Sequence, residues 1–348
     1  MFYILLITMI PPYTLSHNAS LAKHNTFRVP ARATLLAEVN DPQALPELLT
    51  LSEVRDKPLL VLGDGSNVLF TRDFGGVVII IAARGIEKFD DNSASVRIRV
   101  SAGENWNGVV RRTLAQGLCG LENLSLIPGR MGAAPIQNIG AYGAELAEML
   151  ETVEAFDRQA NMPVRLTREQ CGFSYRQSVF KQQLERWIIT GVELCLHRYA
   201  PLKLDYSGVR EELVAMDITK PTATNVADAV CRLRLRKLPD PAVIGNAGSF
   251  FKNPIVSDAQ AEKLQAAHPG LPVFHAPDGR KLSAAWLIEK CGWKGFREGD
   301  AGVSDKHALV LVNHGKATGA QIWSLAQRIQ DSVQKKFGIL LEPEPRIL

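Results

Sequence analysis

Apolar and polar positions alternate in three different ways along the chain, and each pattern predicts a different architecture. From Phe27 to about Arg84, an apolar-periodic segment at Ala44–Val54 leads into a strand at Pro58–Leu62, a glycine-rich turn and a second strand at Val77–Ile81. This order predicts a small α/β unit. From Ile86 to about Arg236, strands dominate: Val96–Val100, Thr152–Asp157, Trp187–Leu194 and Cys231–Arg236. In the last of these, Arg232, Arg234 and Arg236 alternate with Cys231, Leu233 and Leu235, which reads as a strand with one solvated or ligand-facing side. A helix interrupts the strands, because Trp106, Val109, Val110, Thr113 and Leu114 recur at helical spacing and Gly117 stands where it would stop. The run Leu121–Gly143 is too rich in Gly, Pro, Asn and Ala for one regular element, and a long irregular run inside a compact domain is usually functional.

The third region opens at Leu238-Pro239-Asp240-Pro241, where each proline restrains its predecessor away from helix. A helix starts at Ser257-Asp258-Ala259-Gln260, which has capping-box form, and ends near Pro269-Gly270. A second runs from Leu282 to Cys291 and stops at Gly292. The third begins at a box formed by Thr318 and Gln321, continues through Ile322, Leu325, Ile329, Val333 and Phe337, and stops at Gly338. Ala308–Asn313 between the last two helices reads as a buried strand. The tail Leu340–Leu348 is extended and sets Glu342, Glu344 and Arg346 among prolines.

Composition narrows the function classes. The chain has 348 residues, 46% apolar and 22% charged, enough to bury cores in two or three domains. A net charge of +4, with scattered basic residues and no interleaved aromatics, excludes a nucleic-acid footprint. Cys119, Cys171, Cys195, Cys231 and Cys291 lie far apart with no C-x-x-C and no histidine at metal-ligand spacing, so neither a disulfide framework nor a metal site is expected. That cysteine usage suits a reducing cytoplasm. Met1–Ile10 is almost wholly apolar, yet it is too short to span a bilayer and no Lys or Arg precedes it. Residues 1–20 are read as an upstream extension of the reading frame or a frayed tail, with a weak export signal as the alternative.

Two stretches carry candidate chemistry. Gly63-Asp64-Gly65-Ser66-Asn67 follows an apolar strand, and its glycines let the backbone turn tightly and present N–H groups to an anion. A plain crossover between strands is the other reading. A dinucleotide fingerprint of the Rossmann type would need a third glycine and an immediate helix, whereas Val68-Leu69-Phe70 continues toward strand. A diphosphate here would rest on loop amides and on the Ser66 and Asn67 side chains. The second stretch is Ser125–Gly143, whose small residues let backbone pack against a large flat ligand while Gln137 and Asn138 offer hydrogen bonds to a polar edge. A long structural loop remains the alternative.

These segments, taken in order, resemble the UDP-N-acetylenolpyruvoylglucosamine reductases. The resemblance begins at Asn25-Thr26-Phe27, includes Gly63–Asn67, Ala102-Gly103-Glu104-Asn105-Trp106, Pro135–Gly143 and Tyr175-Arg176-Gln177-Ser178-Val179-Phe180-Lys181, and continues through Lys237–Pro241, Gly245–Pro254 and Leu341–Arg346. It implies an α+β protein with a two-part FAD-binding fold of the vanillyl-alcohol-oxidase (PCMH) type and a smaller α/β substrate-binding domain. The divisions expected are a non-matching extension at 1–24, FAD-binding subdomains at 25–85 (with 338–348) and 86–236, and a substrate domain at 237–337.

The resemblance further implies reduction of UDP-N-acetylglucosamine enolpyruvate to UDP-N-acetylmuramate, a step of peptidoglycan precursor synthesis, with non-covalent FAD and with NADPH as hydride donor. Arg176 and Glu344 would activate the substrate carboxylate and Ser249 would supply a proton. FAD would meet Gly63, Asp64, Gly65, Ser66, Asn67, Ser125, Pro128, Gly129, Gly132, Gln137, Asn138, Gly140 and Ala141. Tyr206, Lys237, Asn253, Lys281 and His307 would bind the UDP-sugar. The expected protein is a cytoplasmic monomer without metal, nucleic-acid partner or membrane span. Alternatives are a non-catalytic flavin or UDP-sugar binding protein, or another FAD oxidoreductase on the same fold. One departure stands out: Arg130-Met131 replaces smaller residues, and the cation there would crowd the flavin or contact its phosphates.

Overall fold

The computed structural model describes residues 10–276 and 278–348, and they fall into two compact units. The first comprises the described residues through Ala19 together with Ala33–Gly63 and Gly75–Leu233; the second comprises Ser20–Arg32, Asp64–Phe74 and Arg234–Leu348. Two short early segments thus belong with the C-terminal third of the chain.

The first unit is built on two sheets. One has the strand order Tyr13–Ser20, Arg32–Val39, Phe74–Ile81, Leu59–Val61, with the last two parallel and Leu60 opposite Val78. Tyr13–Ser20 is therefore an edge strand, and the expectation of a frayed tail fails for those residues; Met1–Met9 lie outside the described residues. The helix expected at Ala44–Val54 is Leu45–Thr50, preceded by a single turn at Pro42–Ala44 that the Asp41 side chain caps.

The other sheet is antiparallel, in the order Met162–Thr167, Leu150–Asp157, Trp187–His197, Ser95–Ser101, Ile86–Asp91. Strand alternation decides its faces. Val96, Ile98 and Val100 are buried, and Arg97 and Arg99 on the other face reach Glu151 and Glu154 at 2.9 and 2.7 Å. Helix Trp106–Leu114 packs Trp106, Val109, Val110 and Thr113 inward, and the Asn105 carboxamide caps it by accepting from the Gly108 N–H.

One expected strand is a helix. Cys231–Arg236 lies inside Ala223–Lys237, whose Val226, Ala227, Ala229, Val230 and Leu233 are buried. Alternation over six residues mimics a strand, but the full window has helical period, and Arg and Leu are strong helix formers. This helix packs with Val209, Leu213 and Tyr142 in a small separate core.

In the second unit the three expected helices are Asp258–Ala267, Ala284–Lys290 and Gly319–Phe337. Leu282 ends the strand Gly279–Leu282, and Ser283 caps the second helix, so that helix starts two residues later than expected. Thr318 and Gln321 cap the third reciprocally, and Gly338 closes it in the left-handed conformation at φ 69°. The strand expected at Ala308–Asn313 is shorter, Leu311–Asn313, although all six residues are buried. Ile255–Val256, Gly279–Leu282 and Val273–Ala276 form one three-stranded sheet, and Arg297–Glu298, Ala301–Val303 and Leu311–Asn313 form another. Among the described residues no helix is long and apolar enough to cross a membrane, and no group of three or more His, Cys, Asp or Glu side chains is placed to hold a metal ion.

Candidate active site

In the first unit the loop from Leu121 to Gly143 is made of single turns at Glu122–Leu124 and Met131–Ala133 and a two-residue strand at Gly140–Ala141. Its conformation is held from inside. The Trp106 indole N–H donates to the Leu124 carbonyl at 2.9 Å, and the Leu126 N–H, in a residue at φ 60°, donates to the Asn107 side chain at 2.7 Å. Ser125, 2% exposed, gives its hydroxyl proton to the Glu122 carbonyl. Asn138, 1% exposed, donates to the Glu145 carboxylate at 2.7 Å and accepts from the Ala147 N–H at 3.0 Å. The side chains of Ser125 and Asn138 are thus spent on bracing the loop, and both residues are buried. Gln137, expected to do the same work as Asn138, is half-buried.

Outward, the loop shows exposed Pro128, Ala133 and Gly143 and half-buried Gly132, Gly140 and Ala141, while Gly129 is buried at φ 119°. A stretch of accessible main chain with almost no side chains fits a flat ring system that needs close approach. No histidine lies in this loop or in Gly63–Asn67, so the residues fit a flavin held without a covalent histidine link. Met131 is wholly buried in the core, and Arg130 donates to the Ile81 carbonyl at 3.2 Å. The departure at these two positions therefore faces protein, which removes Met131 from the flavin surface and ties Arg130 to the first sheet.

Arg176 is presented to the same loop. It sits at φ 56°, donates from Nη2 to the Gly140 carbonyl at 2.8 Å and lies 5.2 Å from the centre of the Tyr175 ring. Lys181 donates to its carbonyl at 3.0 Å. These restraints fix the guanidinium. Tyr206, half exposed, meets Tyr142 edge to face at 5.1 Å.

The other expected residues belong to the second unit. Gly65 turns at φ 63°, and a Cβ there would lie 2.1 Å from the His24 carbonyl oxygen, so glycine is required. Asp64, Ser66 and Asn67 beside it are half-buried. No helix follows the turn: the chain runs into Val68–Leu69 and then Phe74–Ile81, which bears out the exclusion of a Rossmann site. Gly63, the last residue of its segment in the first unit, places its Cα hydrogen toward Ala133 and Arg130, where a Cβ would sit at 3.5 and 3.7 Å.

The C-terminal tail returns to this turn. Asn67 donates to the Glu344 carbonyl at 3.2 Å, the Arg346 N–H donates to the Asn67 carbonyl at 3.0 Å, and Arg346–Ile347 pairs in parallel with Val68–Leu69. The tail also pairs with the segment after Ser249. The Glu344 N–H donates to the Phe250 carbonyl at 2.8 Å, Phe251 bridges Pro343, and Lys252 reaches the Glu342 carboxylate at 2.7 Å. Ser249 itself is half-buried, and among the described residues its hydroxyl makes no hydrogen bond. The second unit therefore brings together the glycine turn, Ser249 and Glu344, three elements far apart in sequence.

Of the remaining candidates, Asn253 accepts through its side-chain Oδ1 from the Ala284 N–H at 3.0 Å at the start of a helix. Lys281 stands opposite Ile255 and Phe274 in its sheet. Lys237 is exposed at the end of a helix. His307 has a buried Nδ1 with no hydrogen-bond partner, and burial, reinforced by the nearby Lys237 and Lys294 charges, holds its imidazole below the usual histidine range.

A small-residue loop in the first unit, and in the second a glycine turn without a helix beside a returning acidic tail, suit an FAD-dependent oxidoreductase, and the comparisons show that class. Residues 33–162 match the family described as FAD binding domain, and residues 240–348 match UDP-N-acetylenolpyruvoylglucosamine reductase, C-terminal domain. The UDP-N-acetylenolpyruvoylglucosamine reductase of Xanthomonas oryzae pv. oryzae (strain PXO99A) is 52% identical over 339 residues, covering 97% of each chain. The Pseudomonas aeruginosa enzyme of that name is 51% identical, covering 96% of this chain and 98% of its own. The crystal structure of UDP-N-acetylenolpyruvylglucosamine reductase from Thermus caldophilus superposes with a TM-score of 0.67 at 27% identity, covering 96% of this chain and 98% of that one. The chain belongs to the UDP-N-acetylenolpyruvoylglucosamine reductase family.

Sequence reasoning missed the buried asparagines that brace these turns. Asn25 lies in the first motif, but nothing in the sequence says that its carboxamide bonds to the Leu21 and Val29 main chain.

Proposed function

We propose that this chain reduces the enolpyruvyl group of UDP-N-acetylglucosamine enolpyruvate to give UDP-N-acetylmuramate, using NADPH and FAD. When bound, FAD would supply the hydride chemistry that links oxidation of NADPH to reduction at the terminal carbon of the substrate double bond. Negative charge then develops on the neighbouring carbon and its carboxylate. That transition state needs a fixed cation at the carboxylate and a proton for the carbon.

Arg176 supplies the cation in this reading, and the guanidinium's bond to the Gly140 carbonyl spares it reorganisation during reaction. Glu344 assists at the same carboxylate. Ser249 donates to the carbon. A serine hydroxyl is a weak acid, but an enolate-like carbon is basic enough to take its proton. Lys237, Lys281 and His307 suit the diphosphate, and Asn253 and Tyr206 suit the sugar nucleotide's polar and flat groups. Five free cysteines agree with a cytoplasmic site of action. We read the protein as a monomer, which light scattering on the holoenzyme tests directly.

The observation that carries the reading is the Ser249 hydroxyl: half-buried, unpaired among the described residues, and one residue from the main-chain bond that anchors Glu344. Under anaerobic conditions, the Ser249→Ala variant is expected to be bleached by NADPH at the normal rate and not to be reoxidised by the enolpyruvyl sugar nucleotide. Normal reoxidation would remove Ser249 from the mechanism. Absence of any flavin from the wild-type protein, even after FAD is added, would instead favour a non-catalytic binding protein.

A further inference from the structure

We infer that Asn246 is a positioning residue for proton delivery by Ser249, and that it acts by pinning the turn that carries the serine. The inference rests on the reading of Ser249 as proton donor.

Asn246 is 1% exposed and uses its whole carboxamide within the turn. Nδ2 donates to the Pro239 carbonyl at 3.0 Å and to the Ile244 carbonyl at 2.9 Å, and Oδ1 accepts from the Gly248 N–H at 2.9 Å. Gly248 then adopts φ 70°, with nothing within 4 Å of the place a Cβ would take. On the other side of Ser249, Phe250 is wholly buried and its N–H donates to the Leu309 carbonyl at 2.7 Å. Ser249 is thus suspended between two pinned neighbours. Since its own hydroxyl makes no hydrogen bond among the described residues, its position is set by its main chain, and on the Gly248 side that restraint is Asn246 Oδ1.

The same residue ties the serine turn to the glycine turn. Its N–H donates to the Thr26 carbonyl at 3.0 Å, and the Thr26 N–H in turn donates to the Gly65 carbonyl at 3.2 Å. Phe27, next in the chain, has its carbonyl held by Asn313 Nδ2 at 2.9 Å, and a Cβ on Gly245 would come within 2.4 Å of that oxygen. Thr26, in a turn, therefore bridges Asn246 through its carbonyl and Gly65 through its N–H. A general acid works only within hydrogen-bond reach of the atom it protonates, and a misplacement of about 1 Å costs roughly 100-fold in rate.

The test is stopped-flow on the holoenzyme with Asn246→Ala, Ser249→Ala and the double variant, in H2O and D2O. In Asn246→Ala, reduction of the flavin by NADPH is expected at the wild-type rate, with reoxidation by the enolpyruvyl sugar nucleotide slowed roughly 100-fold and a larger solvent isotope effect as proton delivery becomes limiting. In the Ser249→Ala background the second substitution is expected to add nothing. Equal slowing of both half-reactions, an unchanged isotope effect, or multiplying effects in the double variant would each overturn the proposal and leave Asn246 a purely structural residue. Should Asn246→Ala fail to fold, Asn246→Asp keeps the acceptor for Gly248, and it is expected to show the same half-reaction split with a smaller loss. If Ser249→Ala reoxidises normally, the fault lies in the reading of Ser249.

Discussion

The two loops offered as cofactor contacts are stabilised in opposite ways. The loop Leu121–Gly143 is held by bonds at short and middle range: Ser125 to Glu122, Asn138 to Glu145 and Ala147, Leu126 to Asn107, Arg176 to Gly140 and Arg130 to Ile81. The glycine turn Gly63–Asn67 is bonded to Thr26 upstream and to Glu344 and Arg346 at the far end of the chain. A loop closed over few residues loses little chain entropy, so weak side-chain bonds suffice to hold it. The turn closes loops hundreds of residues long, and it persists only because the second unit folds around it. Local braces can be removed singly at modest cost, whereas the turn fails when the packing it depends on is blocked.

The largest effect is expected where that packing has no slack. Gly65→Ala forces a Cβ to 2.1 Å from the His24 oxygen at φ 63°, and the expected outcome is a loss of at least about 3 kcal/mol, with purified protein that retains no visible flavin absorbance. Normal flavin content in that variant would show that the turn tolerates displacement and would erase the contrast. In the other loop, Asn138→Ala leaves the Glu145 carboxylate and the Ala147 N–H without their partner, at a cost of roughly 2–3 kcal/mol measured by denaturant unfolding, with flavin still bound.

Asn67→Ala removes one partly buried bond to the Glu344 carbonyl and is expected to cost about 1 kcal/mol. Its sharper signature is faster proteolysis of the tail after Leu341, with cleavage inside Leu121–Gly143 unchanged. The smallest effect concerns pH. His307 has its proton affinity lowered in the folded protein by burial and then by Lys237 and Lys294, with Glu289 opposing. The unfolded chain then binds the extra proton first, so stability is full above the ordinary histidine value of 6.5 and declines as pH falls through it toward the lower folded value. A His307→Gln variant is expected to flatten that decline in thermal melts between neutral and mildly acidic pH.

Much of this was legible because the signals are local. Trp106–Leu114, Asp258–Ala267 and Gly319–Phe337 declare themselves by apolar period and caps, and a side chain that caps three residues away needs no partner from elsewhere. The irregularity of Leu121–Gly143 was equally plain from its residue types, and the ordered motifs pointed to the family. Reading failed where a short window imitated the wrong period, as at Cys231–Arg236, and where a neighbour unknown to the sequence made the structure, as when Tyr13–Ser20 found a place beside Arg32–Val39.

The sequence by itself determined most of the capped helices, the family and the chemical identity of the candidate groups, because helix period, capping and motif order are properties of nearby residues. Only the tertiary structure decided that Ser249, Glu344 and the glycine turn share one framework, that Asn138 faces inward and that Asn246 holds the serine turn. Those outcomes depend on which buried donor meets which buried acceptor, and such pairs are selected by the cost of leaving either one unpaired once the chain has closed around them.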